Sequence, residues 1–228
     1  MRRWLLPAAF LVAAALTAEH MARELFHALD HPSARAVLVG VYYALRTAVS
    51  LAFAVFTIGR VEPRRHARDP LALCACAVAM ATVLAFAPPG SGAATGLVLA
   101  GDVVAVLGCM WLLYAALGLG RCFGVLPEAR GLVTRGPYRL VRHPLYLGEL
   151  TACAGLALAA PSALNGALLC VFAVAQAVRM RFEERELTLA FPAYAEYAAS
   201  TPGLIPRLLP AAAWQRRRPA PARVPANS

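Results

Sequence analysis

The sequence predicts an all-α, polytopic integral membrane bundle of about five to six transmembrane helices, with a C-terminal helical hairpin and an interfacial helix. Three observations carry that expectation. Hydrophobic residues fill 60% of 228 positions and the mean hydropathy is +0.61, too apolar for an ordinary soluble domain. The apolar residues gather into six stretches, roughly 5–18, 36–58, 71–87, 96–119, 145–160 and 163–178. Nearly all the arginines lie between those stretches.

A helix needs about 20 residues to cross a ~30 Å hydrocarbon core. The second and fourth stretches meet that length, the third sits at the limit, and the last two are short. Those two form a tight hairpin around Pro161-Ser162, with polar residues extending each arm at its base. The first stretch follows Met1-Arg-Arg-Trp and ends in Thr17-Ala18, a pattern also shared by signal peptides. No soluble mature domain follows it, so an uncleaved first helix is the simpler expectation.

Charge sets the expected orientation. All 22 basic residues are Arg. Arg60, Arg64, Arg65 and Arg68 fill one loop; Arg121, Arg130, Arg135, Arg139 and Arg142 fill another; most of the rest follow from Arg179. Residues 88–95 and 161–165 carry no basic side chain. Arg-rich loops face the cytoplasm, so six helices put both termini inside and the expected location is a bacterial inner membrane. The net charge of +10 then calls for anionic membrane lipids as partners, and no nucleic-acid motif accompanies it. The six Cys, at 74, 76, 109, 122, 153 and 170, form no Cys-x-x-Cys pair and no His completes a zinc site, so neither a disulfide framework nor a metal is expected.

Residues 1–119 read as a transmembrane helical scaffold, 120–208 as a cofactor-binding region, and 209–228 as a disordered basic tail. Within the scaffold, Arg46 and Asp102 each interrupt a spanning stretch and are expected to pair, because an unpaired charge there is costly. After the hairpin, 180–199 reads as an amphipathic interfacial helix that Pro192 kinks or restarts.

Two polar clusters carry the chemistry. Arg142-His-Pro-Leu-Tyr-Leu-Gly148 places charge and rings directly before an apolar run. Pro144 suits the first position of a helix, whose start and preceding turn offer free N–H groups to a carboxylate. His143 and Tyr146 present flat rings with polar edges, and Gly148 lets a ligand or a neighbouring helix come close. A membrane-interface anchor explains the same residues without a ligand. The second cluster, Arg179-x-Arg-x-Glu183-Glu184, has adjacent carboxylates on different sides of a helix, so one of them points inward. That Glu suits an ammonium, a sulfonium or ribose hydroxyls; a solvated helix face is the alternative.

The two clusters, the hairpin between them, and the following Phe191-Pro-Ala-Tyr194-Ala-Glu-Tyr197 and Thr201-Pro-Gly-Leu-Ile-Pro206 form a recognisable set. Over residues 121–208 the chain resembles the isoprenylcysteine carboxyl methyltransferase family and the related phospholipid methyltransferases, carried chiefly by Gly-Pro-Tyr-Arg…Arg-His-Pro-x-Tyr-x-Gly. The resemblance implies an integral membrane enzyme using S-adenosylmethionine, with Arg142, His143, Tyr146, Gly148, Glu183 and Glu184 around the cofactor. Pro192 departs from the family, whose members usually carry Gly there.

Methyl transfer from a sulfonium is an in-line displacement that needs a nucleophile held about 3–3.5 Å from the methyl carbon, away from water. A carboxylate acceptor is already ionised and needs only a cation to position it, the role expected of Arg139 and Arg179. A thiol or amine acceptor needs a base, and His143 is the nearest one. The acceptor is lipophilic or small, and a lipophilic one enters sideways between helices. Two other readings compete: an NADPH-dependent membrane reductase of sterol-like lipids, and a non-enzymatic membrane assembly or transport protein.

Overall fold

The structure, a computed structural model, describes residues 2–67, 69–87 and 94–206. The tail expected at 209–228 lies outside them, as does most of the loop at 88–95. Helix α1 spans Arg2–Asp30, α2 Ala34–Ile58, α3 Pro70–Ala85, α4 Thr95–Leu119, α5 Pro144–Ala159, α6 Ala163–Ala190 and α7 Tyr194–Ser200. The described β structure is one antiparallel ribbon, with β1 (Arg65–His66) beside β2 (Glu128–Ala129). The all-α membrane bundle stands.

Among the described residues, four helices are long and apolar enough to cross a membrane: Trp4–Asp30, Ala34–Ile58, Thr95–Cys122 and Ala163–Ala190. The apolar helices α3 and α5 are shorter, at 16 residues each. Two boundaries differ from the sequence reading. Helix α1 continues through Thr17-Ala18 to Asp30, with Glu19 and Arg23 paired one turn apart at 2.6 Å. Residues 180–190 continue α6 rather than opening a new helix, so the expected interfacial helix over 180–199 is divided. Polar side chains carry α6 onward without a breaker until Phe191-Pro192. There proline's missing N–H ends the ladder, and α7 restarts at Tyr194.

Local capping explains the other ends. Ser33 and Ser162 accept backbone N–H groups of Ala36 and Asn165, both at 3.1 Å. Asp69 caps α3 through Leu71 N–H at 2.9 Å, with Pro70 behind it. Gly120 ends α4 at φ 53°, a conformation other residues avoid.

Helices α5 and α6 are joined through Pro161-Ser162, but α5 packs chiefly on α4 and α6 on α3. The α4–α5 contact is built on small residues. A Cβ placed on Gly101 would lie 2.2 Å from Ala159 N, on Gly108 2.3 Å from Ala152 N, on Gly155 2.3 Å from Ala105 N, and on Gly148 2.7 Å from Leu112 Cα. The series 101, 105, 108, 112 thus runs antiparallel to 159, 155, 152, 148. Such residues let membrane helices approach backbone to backbone, where dispersion replaces the missing hydrophobic drive.

The bundle has two different ends. At one, Asn165 is 1% exposed and brackets Ala87 through its N–H (3.0 Å) and C=O (3.1 Å), while also donating to Ala160 O at 2.7 Å. At the other, the Arg-rich loops are stitched together: Val61 N–H donates to Arg121 O at 3.0 Å, Ala67 N–H to Pro127 O at 3.0 Å, and Arg65 pairs with Glu186 at 3.0 Å. Arg46 and Asp102 do not pair. Asp102 lies nearer the starts of α2 and α4 and meets Arg35 at 3.4 Å, whereas Arg46, about three turns deeper, donates to Tyr42 Oη at 3.0 Å.

Candidate functional site

The site forms where the start of α5, the end of α6 and α7 converge. Pro144 opens α5 as the sequence suggests, and Trp111 Nε1–H of α4 donates to its carbonyl at 2.9 Å. The N–H groups just ahead of it are not left for a ligand. Arg142 N–H donates to Pro202 O at 2.8 Å and His143 N–H to Gly203 O at 3.0 Å. The Thr201-Pro-Gly segment is therefore a backbone clamp on the Arg-His-Pro turn.

Glu184 fastens the same turn from α6. Its Oε1 accepts from Arg142 Nη2 (2.7 Å) and Nε (3.0 Å), and lies 2.9 Å from His143 Nε2. A carboxylate accepts only, so Nε2 carries the proton, and the 4%-exposed His143 is fixed as a donor rather than poised as a base. Arg142 Nη1 donates to Ala198 O at 2.7 Å and Thr201 O at 3.1 Å, tying α7 in. Tyr197 Oη donates to Tyr138 O at 2.6 Å.

A cavity opens inside this frame. Arg142, His143, Tyr146, Arg179 and Glu183 line it, with Tyr138, Tyr194, Tyr197 and the connection carrying Cys122, Leu126 and Leu132. Of the adjacent carboxylates, Glu183 faces the cavity and Glu184 holds its wall. Glu183 and Tyr146 share the cavity lining, and among the described residues no cation lies within ion-pair distance of Glu183. The hydroxyls of Tyr138 and Tyr194 and Nε of Arg179 are buried without a hydrogen-bond partner. Burial holds the Tyr138 phenol well above its ordinary pKa and pushes Tyr197 up to about 12. Both stay neutral donors near pH 7.

Arg179 is held on every side but one. Nη1 donates to Gln176 Oε1 at 2.6 Å and lies 3.7 Å from Glu149 Oε2, Nη2 donates to Val125 O at 3.2 Å, and the guanidinium sits 5.0 Å from the Tyr146 ring centroid. Gln176 Nε2 also donates to Glu149. Sequence reasoning missed Glu149 and Gln176. Each is a polar residue inside an otherwise apolar stretch, and that was the available signal.

Two expected site residues stand apart from the cavity. Gly148 is turned onto Leu112 of α4, so its missing side chain serves helix approach and it does not line the cavity. Arg139 lies exposed on the short 3-10 turn Gly136–Arg139, outside the lining residues. The turn directs Tyr138 inward and thereby its neighbour outward.

A family-model match overlaps most of this site. Residues 91–193 match the phospholipid methyltransferase family model. The match includes α4, α5 and the cavity-lining residues outside α7, runs to the end of α6, stops short of Tyr194 and Tyr197, and supports a membrane methyltransferase. The chain is also similar to two curated proteins. It is 46% identical over 78 residues to the cobalt-zinc-cadmium resistance protein CzcN of Cupriavidus metallidurans, covering 34% of this chain and 36% of that one. It is 38% identical over 78 residues to the nickel-cobalt-cadmium resistance protein NccN of Alcaligenes xylosoxydans xylosoxydans, covering 34% and 37%. The alignments thus span about a third of each relative's length.

Proposed function

We propose that this protein is an integral-membrane methyltransferase that uses S-adenosylmethionine and methylates a lipophilic or small acceptor, a carboxylate by preference. The observation that carries this reading is the Glu183 carboxylate, which lines the cavity among the rings of Tyr138, Tyr146 and Tyr194 with no cation paired to it among the described residues. A carboxylate among aromatic faces suits a cationic ligand, because the rings' negative faces and the acid attract the same charge. The unpartnered Tyr138 and Tyr194 hydroxyls and Arg179 Nε supply hydrogen bonds for its polar parts. The methyl donor brings an activated methyl on a positively charged sulfur.

The chain's residues would bind and orient that donor and exclude water. Glu183 would face the donor's positive charge. Arg142, His143 and Glu184 would keep the wall in place. Arg179 would offer Nε to an anionic acceptor or to the donor's own carboxylate. His143 already donates to Glu184, which favours an acceptor that needs no base. The cavity is narrow, about 50 Å³, against the several hundred that a nucleoside-sized ligand fills, so the connection at 122–133 would move to admit one. We place the site and both termini on the cytoplasmic side, supported by the gathering of the Arg-rich loops at one end.

The reductase reading is disfavoured by charge. Arg142 and Arg179, the arginines that line the cavity, are committed to Glu184 and to Glu149 with Gln176, leaving chiefly the single Arg179 Nε donor, enough for a carboxylate contact but a poor match to a doubly charged 2′-phosphate. The metal resistance in the relatives' names is assigned no residue here; among the described residues no three His, Cys, Asp or Glu side chains are grouped to hold an ion. Calorimetry on detergent-purified full chain tests the proposal. Micromolar binding of S-adenosylmethionine and its demethylated product, lost in Glu183→Gln, supports it. Binding of NADPH alone, or of neither ligand by folded protein, overturns it.

A further inference from the structure

We propose that a second cleft, between the loop ahead of α3 and the outer face of α6, binds a phosphate-bearing group, the headgroup of an anionic phospholipid. The cleft is lined by Arg64, Arg65, Asp69, Phe182, Arg185 and Glu186 with Ala67, is open to the surface with a volume of about 470 Å³, and shares no lining residue with the methyl-donor cavity.

The charges in it are not all free. Arg65 is neutralised by Glu186 at 3.0 Å, and the Asp69 carboxylate accepts Leu71 N–H at 2.9 Å as the cap of α3. Arg64 and Arg185 remain. Arg64 has its guanidinium carbon over the Phe191 ring, 4.9 Å from the centroid, and Arg185 has no hydrogen bond or ion pair among the described residues. A guanidinium over a ring spends no N–H donor on a hydrogen-bond acceptor, and two such forks around one cleft match the tetrahedral oxygens of a phosphate. Asp69 opposes an anion, but the positive N-terminal end of α3, which it caps, offsets part of its charge.

A lipid is the source that the surroundings favour over free phosphate. Phe182 gives the cleft an apolar wall. Just beyond Asp69, the first turn of α3 exposes Leu71 (58%) and Leu73 (44%), a surface suited to acyl chains. Arginines at such a border hold anionic headgroups by direct charge and by hydrogen bonds.

Native mass spectrometry of the full chain, released from nanodiscs with equal phosphatidylglycerol and phosphatidylcholine, tests this. The wild type should retain phosphatidylglycerol about tenfold over phosphatidylcholine. Arg64→Gln/Arg185→Gln should abolish the preference, and so should Arg185→Glu alone, at an exposed site whose change disturbs no contact. Arg135→Gln, another exposed arginine at this end, should leave it intact. Equal retention of the two lipids by wild type, or equal loss in Arg135→Gln, overturns the proposal. So does a thermal shift from millimolar inorganic phosphate that needs Arg64 and Arg185 while no lipid preference exists, because the ligand is then a free anion.

Discussion

Glu184 holds Arg142 through a single oxygen, Oε1, which accepts from Nη2 at 2.7 Å and from Nε at 3.0 Å. That ion pair joins the end of α6 to the turn before α5, and through Arg142 Nη1 it reaches the carbonyls of Ala198 and Thr201. Removing the carboxylate leaves Arg142 and the buried His143 without their shared partner. Since Glu184 is 33% exposed, Glu184→Ala should cost about 1–3 kcal/mol of stability rather than the full penalty of a buried pair. Thermal unfolding and methyl-donor binding should both worsen.

Glu183→Gln should behave differently from its neighbour. The side chain keeps its size and its place on the cavity lining, and no ion pair among the described residues is broken, so the melting temperature should hold. Donor affinity should fall about 10- to 100-fold, equivalent to ~1.4–2.8 kcal/mol. Measuring affinity and melting for both variants separates ligand contact from wall support. An equal loss of stability in Glu183→Gln would contradict the assignment.

The α4–α5 contact predicts a steep size limit. Gly108→Ala or Gly155→Ala puts a methyl within 2.3 Å of a backbone nitrogen, which only a shift of the helices relieves. Each should destabilise the protein by ~1–3 kcal/mol or more. Gly40→Ala, whose Cβ would meet nothing within 4 Å, serves as the control and should be neutral or mildly stabilising. Unfolding in detergent, followed by melting temperature, gives the comparison.

Tyr138 and Tyr197 set a pH expectation. Both phenols have folded pKa values raised by burial, Tyr197 to about 12 and Tyr138 well above 10. The folded state binds these protons more tightly than the unfolded chain. Their contribution is therefore fully present below about pH 10, the unfolded value, and is lost as pH rises towards 12. Donor affinity should show no tyrosine step between pH 7 and 9.5, and alkaline unfolding should steepen above 10. Tyr197→Phe should soften that slope.

Much of the site was legible because its residues violate their surroundings. Arg142, His143, Tyr146, Glu183 and Glu184 are costly near hydrocarbon and fall in two short clusters, so their polarity alone marked them. The start of α5 at Pro144 followed from proline's missing N–H. Division of labour was not legible. Nothing in Glu183-Glu184 says which carboxylate faces the cavity, since that depends on the rotation of α6 against α3 and the turn before α5. Gly148 carried two readings, and only the position of Leu112 on α4 chose between them.

Composition and spacing by themselves determined that the chain is a helical membrane protein, where its apolar helices lie, and which short segments carry unusual polar chemistry. Hydropathy, capping and charge segregation are local or one-dimensional properties, and they need no knowledge of neighbours. Tertiary structure alone decided that α5 packs on α4, that Asp102 meets Arg35 rather than Arg46, that Thr201-Pro-Gly closes over Arg142-His143, and that Arg139 stays outside while Arg179 points in. Those outcomes depend on depth, helix rotation and the close approach that glycines permit, quantities that no single segment contains.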